Sequence, residues 1–184
     1  MKKNSMQHLT ASALLIALGI IIPQVMPKIV IGPASFTLAS HVPVFLAMFI
    51  SPFSAVAVAL GTALGFLLTG MPVIIALRAL SHVVFAFLGA LILQKHPEIV
   101  LSMKKFMVFN VFIGLIHSIL ELGVVSIFFS AGNLGEAYYT QGYFVSIILL
   151  MGVGGLIHSL IDYSLAYFVA RSISQRVNLP IFFD

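Results

Sequence analysis

Six apolar stretches follow one another along the chain, parted by short segments rich in proline, glycine or charge. They predict helical spans over roughly 8–26, 40–50, 54–69, 73–93, 106–130 and 143–170. A helix needs about 20 residues to cross the hydrocarbon core of a bilayer. The second stretch is too short for that, so it must tilt, borrow from the preceding loop, or sit where protein shields its ends. Pro23, Pro27 and Pro33 punctuate the chain from the end of the first span onward, and residues 27–39 break like a loop rather than a helix. That loop is apolar enough to pack back on the protein as a lid. Ser51-Pro52 and Gly70-Met71-Pro72 turn the chain on either side of the third span, where Ala57, Gly61 and Gly65 make one small face for close helix packing. Residues 94–105 are the most polar internal stretch, and 131–142 form a second loop.

Composition turns these helices into membrane spans. Hydrophobic residues make up 61% of the 184 and charged ones only 8%, and mean hydropathy is +1.17. A soluble domain carries about 25% charged residues, so this chain could not cover a water-facing surface. The fold class expected is an all-α integral membrane protein with six transmembrane helices, as a single domain over 1–184. Apolar segments persist towards the C-terminus, so the first is read as a span and not as a cleaved signal. Lysine and arginine favour cytoplasmic loops. Six spans with both termini inside place Lys2, Lys3, Lys95, Lys104, Lys105, Arg171 and Arg176 on the inner side and only Lys28 outside. Merging the second and third spans would split these residues between the two faces. There is no cysteine, which removes disulfides, thiolate metal sites and cysteine nucleophiles.

Polar residues inside the spans are costly, and they mark functional or paired positions. Gly114-Leu-Ile-His-Ser-Ile-Leu-Glu121 carries a histidine and a carboxylate one helical turn apart, and Gly155-Leu-Ile-His-Ser-Leu-Ile-Asp162 nearly repeats it. The six-span topology brings His41, Arg78, His82, His117, Glu121 and His158 towards the outer half. Asp162 falls in the inner half, away from the mouth. Tyr138 and Tyr139 in the second outer loop, with Tyr143, offer faces for a flat ring. Two readings stand for each feature. The His117–Glu121 and His158–Asp162 pairs either satisfy one another or serve a ligand. Arg78 either snorkels to the interface, pairs with Glu121, or meets an anionic or polar ligand. The tyrosines either stack a ligand or sit in an interfacial belt.

Other chemistry lacks its signature. There is no Gly-x-x-x-x-Gly-Lys-Ser/Thr loop and no His-Glu-x-x-His helix. Scattered histidines and carboxylates would allow an intramembrane metalloenzyme, but without diagnostic spacing, and no metal is expected. Ser118 and Ser159 each follow a histidine directly, and adjacent residues on a helix diverge. No filter-like ring suggests a channel. A chain of this size is small for an independent secondary carrier built of inverted repeats, so a solute binder with partners is favoured.

The Ala13-x-x-x-Ala17 face, the six short spans, and Gly32-Pro-Ala-Ser-Phe-Thr-Leu-Ala-Ser-His-Val-Pro43 followed by Phe49-Ile-Ser-Pro52 resemble the substrate-binding S components of energy-coupling factor transporters. The resemblance implies a chain without enzyme activity. It would capture a small vitamin from outside, dock through Ala13 and Ala17 onto a transmembrane coupling protein, and leave ATP hydrolysis to two cytoplasmic ATPases. It needs no cofactor in this chain and no nucleic acid. Metal-transporting members carry a histidine after the first methionine, where this chain has Lys2. The branch that looks nearest handles hydroxymethylpyrimidine or pyridoxine. Arg78, if unpaired, would suit a carboxylate such as niacin; if Glu121 neutralises it, a neutral ring is favoured.

Overall fold

A computed structural model of the chain describes residues 3–177 and 179–183; Lys2 lies outside them. Helix α1 (Lys3–Val25) leads into a hairpin of β1 (Lys28–Ile31) and β2 (Ala34–Thr37). Then come α2 (Val42–Met48), α3 (Pro52–Leu68) and α4 (Val73–Lys95), and the short α5 (Glu98–Leu101) precedes the long α6 (Met103–Ser130). After α7 (Glu136–Thr140) the last span opens as a π-helix over Phe144–Gly154 and continues as α8 (Gly155–Val177). A 3-10 turn over Pro180–Phe182 follows.

Four helical segments, Met6–Val25, Val73–Lys95, Met103–Ser130 and Phe144–Arg176, are long and apolar enough to cross a membrane. Helix α3 has 17 residues and α2 only seven. At 1.5 Å per residue α2 rises about 10 Å, a third of the hydrocarbon thickness. It is packed inside the bundle, with Pro43, Val44, Phe45, Ala47 and Met48 buried. The polarity of the bundle is that of a bilayer protein. Buried positions include His82, Asn110, His117, Glu121 and Asp162, whereas Val108 and Phe168 are 73% and 55% exposed.

Residues 27–39 are more ordered than a loop reading allows. Lys28 pairs with Thr37 and Ile31 with Ala34, which leaves Gly32-Pro33 as a two-residue turn. Gly32 has φ 55°, the conformation that a tight hairpin requires at its first turn position. The prolines on either side had favoured an irregular segment, but Pro33 occupies the turn, where no ladder N–H is needed. Pro23 falls inside α1, as it does in the first predicted span.

Small residues set the seam between α1 and α3. A Cβ on Gly61 would lie 2.6 Å from Ile16 Cδ1, and one on Gly19 would lie 2.5 Å from Thr62 Oγ1. The isoleucine is β-branched and stiff, so it cannot swing away cheaply. Gly61→Leu should therefore lower stability by about 1–3 kcal/mol through overpacking. The check is the midpoint of thermal unfolding in detergent, with the exposed Leu64→Ala change as a control that leaves it nearly unmoved.

Candidate functional site

The site is built where the hairpin hands over to α2. Ala39 has φ 64°, a left-handed conformation that costs a non-glycine residue on the order of 1–3 kcal/mol. It turns the Ala39 and His41 amides towards one carboxylate. Ala39 N–H donates to Asp162 Oδ1 and His41 N–H to Asp162 Oδ2, each at 2.9 Å. His41 Nδ1 lies 3.1 Å from the same Oδ2 and donates to it, since the carboxylate is acceptor-only. Ser40 Oγ sits 3.1 Å from His158 Nε2, and His158 Nε2 is 3.4 Å from Asp162 Oδ2.

A second carboxylate gathers the other half. Glu121 Oε2 accepts from Arg78 Nη2 at 2.9 Å. Its Oε1 lies 3.0 Å from His82 Nε2, 3.6 Å from His117 Nε2 and 4.0 Å from His41 Nε2. His117 Nδ1 is 2.9 Å from Ser159 Oγ. The ring of His41 meets those of His82, His117 and His158 edge-on, with centroids 5.0, 4.6 and 5.0 Å apart. The two histidine–carboxylate pairs are thus one network joined through His41. Placing Asp162 apart from the outer set is corrected on this point: it anchors the residue at the centre. Of the fates left open for Arg78, the structure gives the ion pair with Glu121.

This network forms one wall of a cavity of about 420 Å³. Arg78, His82, Glu121, His41 and His158 reach it, with the hairpin and the 131–142 loop opposite. The hairpin tip approaches that loop closely, because a Cβ on Gly32 would lie 2.9 Å from Gln141 Nε2. His117, only 1% exposed, stands behind the wall. Tyr138 lines the cavity. Partial burial raises its phenol pKa against the pull of Arg78, so the phenol is neutral and able to donate. Tyr139 does not line the cavity: its hydroxyl accepts from Leu134 N–H and donates to Phe129 C=O. Ala13 and Ala17 lie exposed on α1 and do not line the cavity.

Reading the sequence missed Ser40, which bridges His41 and His158, and Phe36, whose ring centroid is 5.7 Å from that of His158. No local pattern marks them, because His158, the partner they share, lies more than a hundred residues away. Asp162 was visible in the repeated Gly-Leu-Ile-His-Ser motif. The six-span topology set it in the inner half, apart from His41, whereas the start of α2 reaches it inside the bundle.

Asp162→Ala should release the hairpin-to-α2 junction. The two amides lose hydrogen bonds to a charged group, which contribute about 1.5–3 kcal/mol. Deuterium exchange at Ala39 and His41 should rise at least about tenfold, while α4 keeps its protection; unchanged exchange would remove Asp162 from the anchoring role.

No family model and no solved structure matches the chain. The niacin transporter NiaX of Lactococcus lactis subsp. cremoris (strain MG1363) is 46% identical over 182 residues, covering 98% of this chain and 81% of that protein. This finding gives no support to the hydroxymethylpyrimidine or pyridoxine branch. Identity of that extent, with four long apolar helices around a polar-walled cavity, makes this chain a multi-pass cell-membrane protein and not an enzyme: it belongs to the vitamin-transporting S components of energy-coupling factor transporters.

Proposed function

We propose that this chain captures niacin, or a closely similar pyridine carboxylate, and delivers it inward with partner subunits. The observation that carries the reading is the state of Arg78. A guanidinium offers five N–H donors, and Glu121 takes one Nη2 contact. Arg78 Nε–H is buried without a hydrogen-bond partner. The side chain keeps 22% exposure at the cavity wall, where an aromatic carboxylate reaches the guanidinium donors that Glu121 leaves free, and Lys28 at the cavity wall adds a second cation. A volume near 420 Å³ is at the small end of ligand pockets, which suits a single substituted ring. The neutral Tyr138 hydroxyl is a donor for a ring nitrogen. The name of the 46% identical relative points the same way. Pairing with Glu121 favours a neutral ring only if it exhausts Arg78, and a single contact does not.

In this reading α2 and α3 complete six spans, with both termini on the cytoplasmic side. Ala13 and Ala17, exposed on α1, are the face for a transmembrane coupling protein, and two ATPases on that protein hydrolyse ATP. Ala17→Trp should abolish copurification with the coupling protein and leave solute binding intact; normal assembly would move the docking face elsewhere.

The deciding experiment is equilibrium binding on the purified chain against niacin, niacinamide, hydroxymethylpyrimidine and pyridoxine. Niacin should bind tightest. Arg78→Gln should weaken niacin by about 10- to 100-fold, the equivalent of about 1.5–3 kcal/mol for a hydrogen bond to a charged group, and niacinamide much less. Tight binding of hydroxymethylpyrimidine or pyridoxine with none of niacin would restore the neutral-ring reading.

A further inference from the structure

We propose that His41, His82, His117 and Glu121 bind one divalent late-transition-metal ion of the zinc class. The four side chains come from the α2 entry, α4 and α6, and each offers a ligand atom within 4.8 Å of the others. The atoms that converge are three Nε2 nitrogens and Glu121 Oε1. Around Oε1 the separations are 3.0, 3.6 and 4.0 Å, and His117 Nε2 stands 3.2 Å from His82 Nε2. Tetrahedral zinc with bonds of about 2.0–2.1 Å holds its ligand atoms about 3.3 Å apart. Three of the four atoms already match that spacing, and His41 is the outermost.

Protons account for this arrangement poorly. Donation of Nδ1–H to Asp162 leaves His41 Nε2 as a lone pair in the neutral ring. Glu121 Oε1 is an acceptor too. His82 Nε2 has one in-plane position to offer. If it carries a proton for Oε1, it has no lone pair for His117; if it accepts from His117, it opposes the carboxylate oxygen at 3.0 Å. A cation at the centre satisfies all four atoms together.

The groups behind the ligands are those that metal-bound histidines use. A ligating imidazole donates its other N–H to a carboxylate, carbonyl or hydroxyl, which fixes the tautomer. His41 Nδ1 has Asp162, and His117 Nδ1 has Ser159 Oγ at 2.9 Å. The second oxygen of Glu121 is held by Arg78. Asp162, His41 and His158 also cluster, but Asp162 is already committed to two backbone amides, so the Glu121 set is the better site.

A dication changes the field of the cavity. Arg78 and Lys28 against Glu121 and Asp162 leave the charges around the cavity balanced; the ion makes them net positive and favours an anion further. That consequence rests on the niacin reading, and the metal site does not.

The test uses untagged or streptavidin-tagged wild-type chain, so that no polyhistidine tag contributes. Elemental analysis should find about one zinc per chain after purification or after reconstitution with zinc alone. Cobalt(II) loading should give the intense visible absorption of a four-coordinate ion. His117→Ala and His82→Ala should abolish that band, and His158→Ala should keep it. Absence of metal and of any cobalt band in folded wild-type protein, or a band indifferent to His117→Ala, would overturn the site. The wild-type spectrum and titration decide the matter even where a variant fails to fold. Stoichiometric metal in a chain that does not bind niacin would sink the cargo reading alone, and niacin binding without metal would sink the site alone.

Discussion

A backbone that stops being helical inside a membrane protein must find partners for its amides from the protein itself, because lipid offers none. Here that constraint falls on residues 38–41, between the hairpin and a seven-residue helix set within the bundle. Asp162 meets it. Its carboxylate takes the Ala39 and His41 amides and offsets the cost of the left-handed Ala39. A neutral side chain could accept these bonds less strongly, since hydrogen bonds to a charged group are worth roughly twice those between neutral ones. The charge in turn demands a surround of donors, and His41 and His158 provide it.

The rest of the site follows from this anchorage. With its backbone and Nδ1 both fixed on Asp162, His41 has one free ring nitrogen, and it faces Glu121. Glu121 is then fixed from three sides by Arg78, His82 and His117. The two carboxylates sit on the antiparallel helices α6 and α8, four residues beyond their histidines. One turn of helix is enough to bring each pair to the same level as the α2 entry. Below the network the packing becomes aromatic: Tyr163 stacks on Phe45 at 4.2 Å, and Tyr167 on Phe106 at 4.0 Å. Tyr167 donates to Val100 C=O at 2.9 Å, which ties α8 to α5. This aromatic layer gives the polar wall a rigid base.

How much of this the sequence carried differs by element. The long spans were legible because apolar runs bounded by charge or proline leave little choice in lipid. The histidines, Arg78 and Glu121 stood out because polar groups are so rare there. The hairpin was hidden because Lys28–Ile31 and Ala34–Thr37 are only four residues each, too short for alternation to separate from a loop. The π-helix over Phe144–Gly154 was hidden as well. Its Gly152 carbonyl accepts from Ser118 on α6 at 2.6 Å, a partner set by tertiary packing. Asp162 shows the general difficulty: its type and spacing were plain, but its role depends on an amide pair more than a hundred residues away.

The cavity wall is unevenly built, and this bears on how a solute enters. The helical side is cross-linked by ion pairs and histidines. The hairpin side is not: every residue of β1 is exposed, and in β2 only Ala34 and Thr37 are buried. The hairpin is held at its C-terminal end by Asp162 and touches Gln141 at its tip. Segments with few buried apolar contacts open at the lowest free energy. The hairpin has fewer buried side chains than the helical side, with Ala34 packed against Val125, Ile147 and Met151 and Phe36 against His158. A cavity with one rigid wall and one light cover can admit a ring without reorganising the groups that would recognise it. Pre-organisation of that kind keeps the cost of binding low.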